Sequence, residues 1–97
     1  MEPTYFDGDV VFYKEYSKKN NFVELGDVII FKHPIKDINL IKRVTGISYR
    51  GIEVSGDNKY FSDDSNYFGL ININNIIGLV TSHIKKHDIE KIKTLFN

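Results

Sequence analysis

Two stretches hold the residues best suited to chemistry: INLIKRV at 38–44 and GDNKYFSDDSN at 56–66. In the first, Lys42 stands among Leu40, Ile41 and Val44, an apolar setting for an ammonium group. Desolvation disfavours the charged form and can pull a lysine far below its usual value of about 10.4, which makes a general base usable at neutral pH. Alternation along a strand offers a second reading, with Lys42 and Arg43 on opposite faces, one snorkelling and one exposed. The second stretch is dense in turn-forming and hydrogen-bonding residues, Gly56, Asp57, Asn58, Ser62, Asp63, Asp64, Ser65 and Asn66. Its aspartates do not follow the spacing of a calcium loop and no glutamate closes it, so neither a metal nor a cofactor is expected. His33, His83 and His87 are scattered, and all three read as structural.

The elements that must position these residues read as strands. Short runs rich in Val, Ile, Phe and Tyr follow turns that contain Gly, which predicts strands over Asp9–Lys14, Asp27–Lys32, Asn39–Ser48, Ile52–Ser55 and Ile76–Ser82. DGDVVFY and LGDVIIF echo each other as a turn feeding a strand. SYRGIEV predicts a hairpin turning at Arg50-Gly51. EYSKKNNF and KHPIKD read as exposed loops, since Pro34 cannot donate to a ladder and pushes His33 toward extended backbone. Only HDIEKIKTLFN has helical spacing, with Ile89, Ile92, Leu95 and Phe96 on one face and Asp88 as N-cap. That helix is expected to pack on the sheet. Docking to a membrane or a partner is its alternative, weakened by only three accompanying lysines, Lys86, Lys91 and Lys93.

A chain of 97 residues with 41% hydrophobic content suffices for one small, mostly β domain spanning 1–97. Thirteen basic against thirteen acidic residues give a net charge of zero, so bulk electrostatics do not favour nucleic acid or anionic lipid. With no cysteine there is no disulfide framework and no thiolate metal site. Apolar runs such as DVIIF and NIIGLV fall far short of the roughly 20 residues of a membrane-spanning helix, so the chain as given is expected to be soluble.

Taken in order, four motifs resemble the type I signal peptidases, membrane-bound serine proteases that work through a Ser-Lys dyad. The family's S-M-x-P-T followed by Gly-Asp is matched by MEPT at Met1 to Thr4 and by Gly8-Asp9. Its G-D-[IV]-V with a following Pro is matched by GDVIIFKHP, its K-R-V by Lys42 to Val44, and its G-D-N-x-x-x-S-x-D-S-R by GDNKYFSDDSN. NIIGLV matches the strand that follows. The resemblance implies a small signal peptidase/LexA-like β-fold with a short C-terminal helix. It also implies that Lys42 is the general base, that Ser62 hydrogen-bonds its amine, and that Asp57, Asn58, Asp64 and Arg43 support the pair. Asp64 would stiffen the loop through an ion pair with Arg43. Met1, Glu2 and Pro3, with Asn39, Leu40 and Ile41, would flank an extended peptide or preprotein by β-addition. Self-cleaving repressors share several of these elements, but the GDNKYFSDDS loop sides with the peptidases, and lysine rather than histidine at 42 points to the bacterial or organellar type.

The sequence departs from the pattern twice. Asn66 replaces the arginine that ends the last motif, which removes a supporting salt bridge. The family's nucleophilic serine directly precedes the methionine, and here nothing precedes Met1; Ser17, Ser48, Ser55, Ser65 and Ser82 lie outside the matching position. Two expectations follow. Either the chain is cut just after the serine from a protein anchored in a membrane through an N-terminal segment, with its site on the extracytoplasmic face, or it is an inactive relative that binds peptides or serves as a scaffold. The first is favoured, because Lys42 and Ser62 serve little purpose in a scaffold.

Overall fold

The computed structural model describes residues 4–5, 8–57 and 69–96, with side chains to residue 93 in the last segment. The β-branched and aromatic runs form β1 (Val10–Glu15), β2 (Val28–Lys32), β3 (Asn39–Ser48), β4 (Gly51–Ser55) and β5 (Ile76–Ile84). A 3-10 turn at Ile73–Asn75 leads into β5, and a helix, α1 (Lys86–Phe96), follows it. The strands make one sheet in the order β1-β5-β2-β3-β4, antiparallel at every pairing. This matches the mostly β architecture that the residue pattern implies.

Strand alternation puts Ile29 and Phe31 of β2, Val44 of β3, and Ile52 and Val54 of β4 into one buried cluster with Ile71, and a register shift between β2 and β5 brings Ile76 and Leu79 opposite Phe31 and Ile29 into the same cluster. Ile29, Phe31 and Ile71 have no exposed surface, and complete burial of such a side chain stabilises by about 1.5–3 kcal/mol. Ile71 also extends the sheet beside β4, exchanging both backbone hydrogen bonds with Ile52 at 2.8 and 2.9 Å.

The echo between DGDVVFY and LGDVIIF has a structural counterpart. Gly8 and Gly26 both take left-handed backbone, at φ +89 and +90. The aspartates that follow are used differently: Asp27 folds back to accept the Glu24 N–H at 2.8 Å, while Asp9 reaches across the chain to accept the Lys86 N–H at 2.8 Å.

That second bond corrects the expected helix start. The helix begins at Lys86, with the Lys85 carbonyl accepting from the N–H groups of Asp88 and Ile89, so Asp88 lies in the first turn and is not the N-cap. The described part of the helix shows little of the expected packing on the sheet. Among the described side chains of α1 only Ile89 is partly covered, and Ile92 is 45% exposed. The helix is tethered through its N-terminus, and the side chains of Leu95 and Phe96 lie outside the described residues. The β3–β4 turn is formed by Tyr49-Arg50, not Arg50-Gly51; Gly51 opens β4 at φ +148.

Candidate active site

Lys42 sits on β3 opposite Ile29 of β2 and is 6% exposed, next to the buried Val44. The strand setting read from INLIKRV is therefore real, and Lys42 is covered on the core-facing side of the sheet. Arg43 alternates to the other side and remains half-buried.

The two neighbours of β3 do not flank it equally. β2 pairs with it from Asn39 to Arg43, whereas β4 pairs from Arg43 to Ser48. Among the described residues no strand runs beside Asn39–Ile41 on the side away from β2. A strand margin of this kind is where an extended peptide can add by main-chain hydrogen bonds. The connection that delivers Asn39 to this position is locked by His33, whose buried imidazole Nδ1 accepts the N–H groups of Ile35 and Lys36 at 3.0 Å each. The His33 N–H donates to the Ile38 carbonyl at 2.9 Å.

Alongside this margin lies a groove of about 260 Å³ lined by Tyr5, Asp9, Val11, Ile30, Asn39, Leu40 and Ile41. It is smaller than the roughly 300–1,000 Å³ of pockets that enclose a drug-sized ligand, and suits one or two side chains of a peptide. Asn39, Leu40 and Ile41 are the β3 residues expected to flank substrate, and they meet here. Met1, Glu2 and Pro3 lie outside the described residues. Four wall residues were not anticipated. Ile30 enters as the register partner of Ile41, and Tyr5, Asp9 and Val11 arrive from the segment around the first Gly-Asp turn. The sequence signals that could have found them are the motifs around them: Asp9 and Ile30 lie inside the two matched Gly-Asp motifs, and Tyr5 and Val11 lie close to MEPT and Gly8-Asp9.

The segment carrying Tyr5 is held by an ion-pair cluster. Arg43 donates from Nε to Asp57 Oδ1 and from Nη2 to Oδ2, both at 3.0 Å, and from Nη1 to the Gly26 carbonyl at 2.9 Å. The Thr4 hydroxyl donates to Asp57 Oδ2. One guanidinium thus joins the turn before β2, β3, the end of β4 and the N-terminal segment. Its hydrogen bonds hold the Asp57 carboxyl below the ordinary carboxylate range despite partial burial, with the Thr4 hydroxyl adding to the effect. The arginine is raised in turn, first by its bond to Asp57. Asp57 is the partner of Arg43 among the described residues; the expected pairing of Arg43 with Asp64 falls, like Asn58 and Ser62, outside the described residues. No group of three potential metal ligands occurs among the described residues.

Residues 1–55, which carry β1 to β4, Lys42 and the whole groove lining, match the family described as signal peptidase, peptidase S26. The chain belongs to the signal peptidase family. A relative, Signal peptidase I of Buchnera aphidicola subsp. Schizaphis graminum (strain Sg), is 30% identical over 97 residues, covering 88% of this chain and 31% of the relative. The chain therefore spans about a third of the length of that signal peptidase. No solved structure matches it. The signal peptidase family is membrane-associated, and no helix of the described residues is long and apolar enough to cross a membrane.

Proposed function

We propose that this chain is the catalytic core of a Ser-Lys signal peptidase, with Lys42 as general base. The serine is the residue that the family motif puts directly before the position of Met1. Its hydroxyl oxygen attacks the scissile carbonyl while the Lys42 amine takes the proton; the lysine then passes that proton to the departing amine. Water, deprotonated by the same lysine, hydrolyses the resulting acyl-enzyme. Ser62 orients the amine, and Arg43 with Asp57 fixes the surrounding turns. The observation that carries this reading is a covered lysine on a strand whose margin, at Asn39–Ile41, has no strand beside it among the described residues on the side away from β2. Burial disfavours the ammonium form of a lysine in general, and the free amine is the form that acts as a base.

The substrate is an extended preprotein segment with small side chains near the cut, as in the A-x-A-like sites of signal peptides. It adds beside Asn39–Ile41 and sinks a side chain into the groove. On this reading the protein acts at the extracytoplasmic membrane face, held there by a segment beyond these 97 residues. The test is cleavage of an Ala-x-Ala peptide by the chain carrying a serine before Met1, with Lys42→Met alongside. Cleavage that Lys42→Met abolishes, with peptide binding retained, is expected. Cleavage at the parent rate by Lys42→Met refutes the base. Binding without cleavage in both proteins makes the chain a peptide-binding module.

A further inference from the structure

The groove has a residue behind its wall that neither its lining nor the family motifs include. His83 lies one residue from the end of β5, facing Val11 across the β1–β5 ladder. Directly opposed residues of an antiparallel pair share a face of the sheet, so His83 stands beside the groove through Val11. It also meets Tyr5, ring edge to ring face, with centroids 4.6 Å apart and planes at 75°. Tyr5 and Val11 are both wall residues, and His83 itself does not line the groove.

We propose that His83 is a positioning residue that sets the depth of the peptide groove through Tyr5, and so restricts the groove to small side chains. This rests on the peptide-groove reading above.

Tyr5 belongs to no strand. Among the described residues, the hydrogen bond from its neighbour Thr4 to Asp57 pins the backbone, and the His83 ring backs the phenol. The first fixes where the residue starts and the second fixes how far its ring can retreat from the groove. Among the described residues His83 Nε2 is buried without a hydrogen-bond partner, so packing holds the imidazole in place. An aromatic ring lacking nitrogen should therefore do the same work. A shorter side chain should not: Tyr5 would settle toward β5, and the groove would deepen where Tyr5 and Val11 meet.

The experiment measures binding of two fluorescent peptides to the 97-residue chain, identical except that one carries Ala and the other Leu at the residue seated in the groove. The parent is expected to prefer the Ala peptide by about tenfold, the lower end of what a mismatched pocket achieves. In His83→Ala and His83→Val the preference should fall to about threefold or less, mainly because the Leu peptide binds more tightly, and His83→Phe should restore it. The valine variant suits a strand and keeps the test available if the alanine variant does not fold. An unchanged preference in either folded truncation overturns the proposal. So does an equal loss of both affinities that His83→Phe does not restore, which is the mark of a merely structural role. If the parent binds neither peptide, the groove reading fails, and this inference with it.

Discussion

Replacing Asp57 by Asn changes charge while keeping shape, and it acts on the one side chain that Arg43 and Thr4 both grip. Arg43 makes two bonds of 3.0 Å to this carboxylate, whose side chain is 20% exposed, while that of Arg43 is 35% exposed. Fully exposed pairs contribute under about 1 kcal/mol, and hydrogen bonds to charged partners about 1.5–3. A two-pronged pair that is partly covered and partly screened falls between them, at about 2 kcal/mol. With urea slopes of about 1–3 kcal/mol per molar for small proteins, the Asn variant should unfold at a midpoint about 1 M lower at pH 7. The pH dependence gives a sharper check. Arg43 depresses the folded Asp57 value, so the unfolded chain, in which aspartate titrates near about 3.9, binds this proton more readily. The contribution is complete above pH about 4 and is lost as pH falls through the lower folded value. The midpoints of parent and variant should therefore converge on acidification below about pH 4. A gap that persists undiminished below the folded value, or no gap at pH 7, would refute the reasoning.

Two further substitutions probe the frame. Gly51→Ala puts a Cβ 2.9 Å from the Ile71 carbonyl oxygen at a residue whose φ is +148. The strain should cost about 2 kcal/mol and lower the melting temperature by about 10 °C in a thermal scan; an unchanged melting temperature would mean that the Ile52–Ile71 pairing yields freely. Asp9→Ala removes the acceptor for the Lys86 N–H. Loss of a helix cap worth about 1 kcal/mol should raise amide exchange in the first turn of α1 about fivefold while leaving β2 and β3 unaffected. Equal protection in both proteins would show that the tether contributes nothing.

Much of this protein is legible without coordinates because its strands are local objects. Runs such as VIIFK and IIGLV have the β-branched composition and length of buried strands, the Gly-Asp pairs mark the turns before them, and predicted and observed strands differ by at most two residues at any end. Lys42 was conspicuous for the same reason, being charged inside an apolar run. What depends on register was not legible. That Ile30 lines the groove follows from its pairing with Ile41, that His83 backs Tyr5 follows from a strand laid beside β1, and that Arg43 bonds Asp57 follows from β4 ending opposite it. The start of α1 shows the difference most plainly. Asp88 has the residue type of a cap and lies at the right place in the sequence, yet the first helical N–H bonds Asp9, 77 residues away. Composition and spacing decide which conformation a segment prefers, since that preference arises among near neighbours. Which donor meets which acceptor is decided by how the strands align, and only the folded sheet brings those groups within bonding distance.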